Sequence, residues 1–380
     1  MNKGLQSGVG LVRSLAASLR KLLGRVDWLR DWQMEEARGA AKAGPDLLVT
    51  LPLPTDGKAL LCVECKRDLR PSMFRQFVDR PFSPPAQAKV VVRVLGLPMV
   101  SPRVAELCAE HGWSWFDLAG NCRLDVPGLL HVQRTGIPSA HPCARPIANL
   151  STPEAGRVIR ALLHPENAGI RWTQRHMAEH FGEIKRPIPQ PSLGLVNKVV
   201  RYLRDEAFIG DLPSGGFRVG DPLRLLFAWR DAYRFDRHER RNYFTLLQGS
   251  ELRDTLANFD AQVGGFTMYA AFSAANFQAP HVRQPKTWLY VRGSVISRFE
   301  EAIKAKMVES GENLVVLLPD DDGVFYLGDG GMLSDNRLAC TSEVQTYVDL
   351  YHCGGRGEEA AEALLDQCLK PKWKASGLKA

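Results

Sequence analysis

STPEAGRVIRALLHPENAGIRWTQRHMAEHFGEIKRPIPQPSLGLVNKVVRYLRDEAFIGDLPSGGFRVG, residues 151–220, carries three apolar repeats at helical spacing and then two short alternating runs. It opens on Ser151-Thr152-Pro153-Glu154, where a hydroxyl, a first-turn proline and an acid mark a helix start. Helices are predicted through EAGRVIRALL, TQRHMAEHF and SLGLVNKVVRYLRDEA. FIGDLPSGGFRV then reads as two strands about Ser214-Gly215-Gly216. Three helices and a hairpin in this order predict a winged helix-turn-helix over residues 151–222.

The third helix places Asn197, Lys198, Arg201 and Arg204 away from the apolar stripe Leu195, Val199, Tyr202 and Leu203. Asn and Arg are the side chains that fork base edges, and Lys and Arg hold phosphates. Lys185 and Arg186 lie just before this helix, and Arg218 follows the hairpin turn, suited to a phosphate or a minor groove. From Arg171 to Arg204 seven basic residues face two acids, a local charge of +5. The expected partner is double-stranded DNA; a protein-docking module with a solvated basic face is the plainer alternative. His176 and His180 have the spacing of a metal pair, but with no third ligand they read as solvent-facing or capping residues.

The rest of the chain fits around this segment. At 380 residues with 45% hydrophobic and 24% charged residues, three cores are expected and wholesale disorder is excluded. Forty-nine Lys and Arg against 42 acids give +7 and a pI near 9.0, in keeping with a polyanionic partner. Eight cysteines include one C-x-x-C pair, Cys62 and Cys65, with no second pair to complete a zinc site. Cys62 therefore reads as a strand-face hydrophobe, and scattered thiols suit a reducing, cytoplasmic setting. No apolar run reaches the roughly 18 residues of a membrane span, so no membrane association is expected. Leu11, Leu15, Leu19, Leu22 and Leu23 with interleaved Arg and Lys read as an amphipathic first-domain helix rather than a presequence.

Upstream, DLLVTLPL (46–53), a turn at Thr55-Asp56-Gly57-Lys58 and ALLCVECK (59–66) predict a β-hairpin; a helix near Pro71–Asp79, the strand AKVVVRVL, a helix from Pro102 and closing strands in WSWFDLAGNCRLDVPGLLHVQ follow. Pro45-Asp46 precedes Glu64-Cys65-Lys66 by eighteen residues. This resembles the PD-(D/E)xK nuclease pattern. The resemblance implies a restriction-endonuclease-like α/β domain in which Asp46 and Glu64 bind Mg²⁺ and Lys66 stabilises charge, with Glu36 in the preceding helix as a further ligand and Gln76 in the next helix as an accessory contact. Hard carboxylates suit Mg²⁺, and the ion polarises a phosphate. A retired nuclease fold without a metal site is the other outcome.

Residues 134–150, with Pro138, Pro142 and Pro146, lack periodicity and read as a linker. Beyond the hairpin, LLFAWRDAYRFDRHERRNYF is predicted helical; KTWLYV, NLVVLL and VFYLG are strand candidates; and SEVQTYVDLYHCGGRGEEAAEALLDQCL is helical with a Gly-Gly break. Asp320-Asp321-Asp322-Gly323 reads as a polar turn or a cation loop. Phosphate-loop and serine-hydrolase signatures and internal repeats are absent.

VECKRDL, FDLAGNCRLDVPGLL, the helix-turn-helix and SEVQTYVDLYHCGGRGEEAAEALL together resemble AbiEi-type antitoxins and transcriptional regulators of bacterial type IV toxin-antitoxin systems. The resemblance implies promoter binding through Asn197, Lys198 and Arg201, a cognate toxin as partner, and a structural role for Gly354-Gly355-Arg356-Gly357. The N-terminal domain departs from the shortest members. The expectation is an α+β multidomain protein: a nuclease-like domain at 1–136, a linker at 137–150, a winged helix at 151–222 and a mixed α/β regulatory or partner-binding domain at 223–380. Its expected function is sequence-specific DNA binding, with homodimerisation open. The alternative is a Mg²⁺-dependent DNA endonuclease or nickase targeted by the winged helix.

Overall fold

Leu11, Leu15 and Leu19 recur at helical spacing, and α1 (Gly8–Leu23) forms there with those leucines buried. The computed structural model describes residues 8–36, 44–54, 57–80, 88–139, 148–184, 188–328 and 338–378. The chain divides into two units, Met1–Pro146 and Ile147–Ala380. In the first, α1 is followed by β1 (Gln33–Glu36), β2 (Leu47–Pro52), β3 (Lys58–Cys65), α2 (Pro71–Val78), β4 (Val90–Leu97), α3 (Pro102–Glu110), β5 (Ser114–Asp117), β6 (Cys122–Val126) and β7 (Leu130–Arg134). These strands form one seven-stranded sheet in sequence order. The β3–β4 and β4–β5 pairs are parallel and the others antiparallel. Alternation sorts the side chains: Leu47, Val49, Leu61 and Val63 share a core with α1, while Leu95 and Leu97 pack with Phe74 and Phe77 of α2 and with Val104 and Cys108 of α3.

Glu36 corrects the sequence reading. It lies in strand β1, opposite Leu47, instead of in a helix. The first helix stops at Leu23, and Gln33-Met34-Glu35-Glu36 satisfies its backbone on the open edge of β2. The turn between β5 and β6 explains the FDLAGN segment. Asp117 is fully buried and accepts from Gly120 N, Asn121 N and Asn121 Nδ2, each at 2.9 Å, while Asn121 Nδ2 also donates to Ile137 O. Cys62 and Cys65 point to opposite faces, as a spacing of three requires in a strand, and burial pushes their thiols up to about 11 and about 12. They remain protonated thiols, and no group of three or more metal-ligating side chains exists among the described residues.

The second unit begins with α4 (Pro153–Leu163), α5 (Gln174–His180), α6 (Leu193–Asp205), β8 (Ile209–Asp211) and β9 (Phe217–Val219). It continues through α7 (Pro222–Ala232), β10 (Glu239–Phe244), α8 (Gly249–Val263), β11 (Thr267–Tyr269), α9 (Ala271–Gln278), β12 (Thr287–Val291), α10 (Ile296–Ala302), β13 (Lys306–Met307) and β14 (Leu314–Leu318), closing with α11 (Glu343–His352), α12 (Gly357–Leu364) and α13 (Lys370–Ala375). A five-stranded sheet of order β11-β12-β14-β10-β13 carries one parallel pair, β12–β14. One of its faces packs Leu289, Val316 and Leu318 against Leu256 and Phe299; the other contributes Trp288, Tyr290, Val315 and Leu317 to a large core.

That large core runs without a break from Leu150 to Leu378. The sequence reading placed a boundary at 222/223, but α7, capped by Asp221, sends Leu225, Leu226 and Trp229 into the same apolar cluster as Val158, Ile159 and Leu162 of α4. Two local expectations also change. The stretch read as one helix, 225–244, is helical only to Ala232; its second half is β10, drawn into the sheet between β14 and β13. VFYLG is a tight 3₁₀ turn, with Val324, Phe325 and Tyr326 buried instead of alternating. Gly357 sits where an added Cβ would lie 2.1 Å from Leu350 O, so a glycine is required there by the close turn from α11 into α12. No described helix is long and apolar enough to cross a membrane.

Candidate functional site

Three short hydroxyl caps fix the helices of residues 152–205. Thr152, Thr173 and Ser192 each accept a hydrogen bond from the backbone N–H three residues on, at the starts of α4, α5 and α6. In α6, Val196, Val199, Val200 and Leu203 are buried. Leu193, Gly194, Asn197, Lys198 and Arg201 are exposed and fall on the opposite side. Asn197, Lys198 and Arg201 thus share one open helix face, as the sequence spacing predicts.

The hairpin is locked to the preceding segment. Trp172 and Phe217 exchange backbone hydrogen bonds of 3.0 and 2.8 Å, and Arg171 Nη1 donates to Ser214 O at 2.8 Å. Gly216 has φ of 78°, and a Cβ there would lie 2.5 Å from Trp172 O. Gly216→Ala is therefore expected to destabilise the second unit by about 1–3 kcal/mol, measured as a shift in the urea midpoint. A neutral result would mean that the turn relaxes freely.

The basic residues singled out in the sequence have different environments. Arg218 on β9 is exposed. Arg204 is half-buried and forks Asp211 Oδ1 through Nε at 3.1 Å and Nη2 at 2.9 Å, tying α6 to β8. That bond positions the hairpin and leaves Arg204 less free for phosphate. Lys185 and Arg186 lie outside the described residues. His176 and His180 join no metal-ligating group among the described residues; their rings lie 4.9 and 5.1 Å from that of Trp172, and His180 Nε2 meets the Tyr326 hydroxyl at 2.7 Å. Burial lowers the His180 pKa, keeping the ring neutral in that contact.

In the first unit Asp46 directly precedes β2 and its backbone N–H donates to Val63 O of β3, the residue before Glu64, at 2.8 Å. Asp46 Oδ2 accepts the Cys65 N–H at 2.7 Å. Glu64 is paired with Lys66 at 3.7 Å and with Arg93 of β4 at 3.4 Å. Arg93 itself stacks over Trp113, 4.0 Å from the ring centre. Gln76 is exposed on α2, and Glu36 is exposed on the sheet edge beyond β2. Asp46 is therefore held on the backbone between the paired Glu64 and Lys66, whereas Glu36 belongs to the outer strand. The donor chemistry suits Mg²⁺, but a guanidinium on Glu64 competes for the oxygens a hard cation requires. As arranged, the residues do not form a free metal site. Arg93 was missed in the sequence because only the sheet register brings it beside Glu64.

The sequence reading also missed a buried polar group joining α4 to the C-terminal elements. Arg157 Nε donates to both Asp321 oxygens at 3.1 and 3.0 Å, with Nη2 on Oδ2 as well. Asp321, from the run read as a turn or cation loop, is thus an ion-pair partner that also accepts from Gly323 N, while Asp322 pairs with Arg292 at 3.0 Å. Arg160 Nε donates to Gln345 Oε1 at 2.6 Å; Gln345 Nε2 donates to Asp349 Oδ1 at 2.7 Å and to the Tyr233 hydroxyl at 2.8 Å. The one available signal was Arg160 itself, a charge inside the apolar stripe of α4.

Residues 218–370 match the family AbiEi_2, described as "Transcriptional regulator, AbiEi antitoxin, Type IV TA system". Over these residues the chain is similar to that family, in agreement with the resemblance drawn from sequence. No curated protein and no solved structure matches the chain.

Proposed function

We propose that the protein is an AbiEi-type transcriptional regulator and antitoxin whose residues 151–222 act as a winged helix on double-stranded DNA. The observation that carries this reading is the exposed face of α6, where Asn197, Lys198 and Arg201 stand clear of a helix side that is otherwise buried. On a B-form duplex that helix enters the major groove, Asn197 and Arg201 meet base edges, and Lys198 meets phosphate. Arg218 on β9 follows the backbone from the hairpin. A two-fold operator would match a homodimer. The family region that follows supplies the surface through which a cognate toxin system is regulated.

The test is a mobility-shift titration with DNA from upstream of the protein's own gene. Arg201→Ala is expected to weaken specific binding by about 1–3 kcal/mol, and Lys198→Ala to reduce the dependence on log salt by about one unit. Binding unaffected by both changes would transfer the DNA contact elsewhere or leave residues 151–222 as a protein-docking module.

A second reading, a Mg²⁺-dependent endonuclease or nickase, is favoured by one observation: the Asp46 carboxylate accepts the N–H of Cys65, which lies between the paired Glu64 and Lys66. The Arg93–Glu64 pair weighs against it. Incubating the same DNA with Mg²⁺ or EDTA separates the two readings. Intact DNA in both supports the regulator, while nicking that Glu64→Ala abolishes supports the enzyme.

A further inference from the structure

Away from α6, a cleft of about 380 Å³ opens between the first turn of α8, the helix α9 and the segment leading into β12. Three cations line it: Arg253, Arg283 and Lys286. Lys286 is bonded to Glu312 at 2.5 Å. Arg253 and Arg283 are exposed and have no ion-pair or hydrogen-bond partner among the described residues. The cleft also presents the Asn276 amide and the Phe277 ring, which is 40% exposed and held against Tyr269 at 5.1 Å between ring centres.

The volume is that of a small-molecule site. Guanidinium forks match phosphate oxygens, a fixed and open aromatic face stacks a planar base, and a neighbouring amide reads a base edge. An extended peptide fits poorly. β11 lies at the sheet edge, but Tyr269 N already donates to Ala339 O at 2.8 Å and Tyr269 O accepts from Thr341 N at 2.9 Å, so the backbone that would pair with an added strand is occupied.

We propose that this cleft is a nucleotide site, binding a nucleoside di- or triphosphate with its phosphates on Arg253 and Arg283 and its base on Phe277. The ligand acts as a bound effector; no bond is made or broken. The site stands apart from the DNA-binding reading, which can fail without it.

Calorimetric titration of the full chain with ADP, GDP, pyrophosphate, adenosine and hexaglutamate tests it. Expected are saturable binding of ADP or GDP, weaker binding of pyrophosphate, and none of adenosine or hexaglutamate. Arg283→Ala and Arg253→Ala should each weaken nucleotide binding about tenfold or more, with unchanged unfolding midpoints. Phe277→Ala should weaken nucleotide and leave pyrophosphate unaffected, and Arg201→Ala should change neither. The proposal is overturned by absent nucleotide binding at millimolar concentration, by binding indifferent to both arginine changes, or by hexaglutamate binding as well as pyrophosphate.

Discussion

Replacing Arg157 with methionine is expected to lower the stability of the second unit by about 3–5 kcal/mol, read as a fall in the urea midpoint at constant slope. The Arg157 and Asp321 side chains are only 12% and 10% exposed. Removing the cation leaves a carboxylate in a site with little water and no second guanidinium bonded to it among the described contacts. The cost of that uncompensated charge exceeds the worth of the pair itself, so Arg157→Met/Asp321→Asn should recover most of the loss. A double variant no more stable than the single one would show that the damage comes from lost packing along α4. The same variants carry functional information, because α4 supports the helix face assigned to DNA.

Asp349 and His238 are expected to hide each other's pH dependence. Burial raises the Asp349 carboxyl to about 7, against the donors Tyr290, Gln345 and Tyr233 at its Oδ1. Burial, aided by the charge of Arg160, lowers His238 to about 4. The His238 ring accepts the Asp320 N–H at Nδ1, so Nε2 carries the hydrogen that meets the Tyr233 hydroxyl. Between about pH 4 and 6.5 the unfolded chain holds an ionised carboxylate and an imidazolium, while the folded pair is a neutral acid and a neutral ring. The number of bound protons is equal, and this pair gives stability no slope.

Each single variant exposes one slope. In Asp349→Asn only His238 remains. Its depressed pKa makes the contribution full above about pH 6.5 and lost as pH falls towards 4. In His238→Gln only Asp349 remains. Its raised pKa makes the contribution full below about pH 4 and lost as pH rises towards 7. The opposing slopes are each about 1.4 kcal/mol per pH unit. Urea denaturation across this interval measures them, and parallel profiles for the two variants and the parent chain would refute the pairing.

Local signals were legible where the chain decides matters within a few residues. The caps at Thr152 and Ser192, the glycine turn at 215–216 and the period-two alternation of 46–66 each determine their own backbone, and the open face of α6 followed from its spacing. What escaped the sequence depends on tertiary company. Glu239–Phe244 has no strong preference of its own and becomes a strand because β14 offers it a ladder. Tyr326 looks like a strand residue, but its hydroxyl is needed by Asn167 and His180. The Arg93–Glu64 and Arg160–Gln345 pairs join residues 29 and 185 positions apart, beyond any pattern that spacing can reveal.

The Trp373 indole donates to Leu163 O at 2.8 Å, closing a span of 210 residues between the last helix of the second unit and its first. During synthesis at roughly 5–20 residues per second, α4 leaves the ribosome about 10–40 s before the side chain that completes its socket. Through that interval α6 and α7 can already cover part of its apolar face, but the Leu163 carbonyl at its end waits for its indole donor. Completion of the first helix of the second unit is in this way timed by the translation of the C-terminal region.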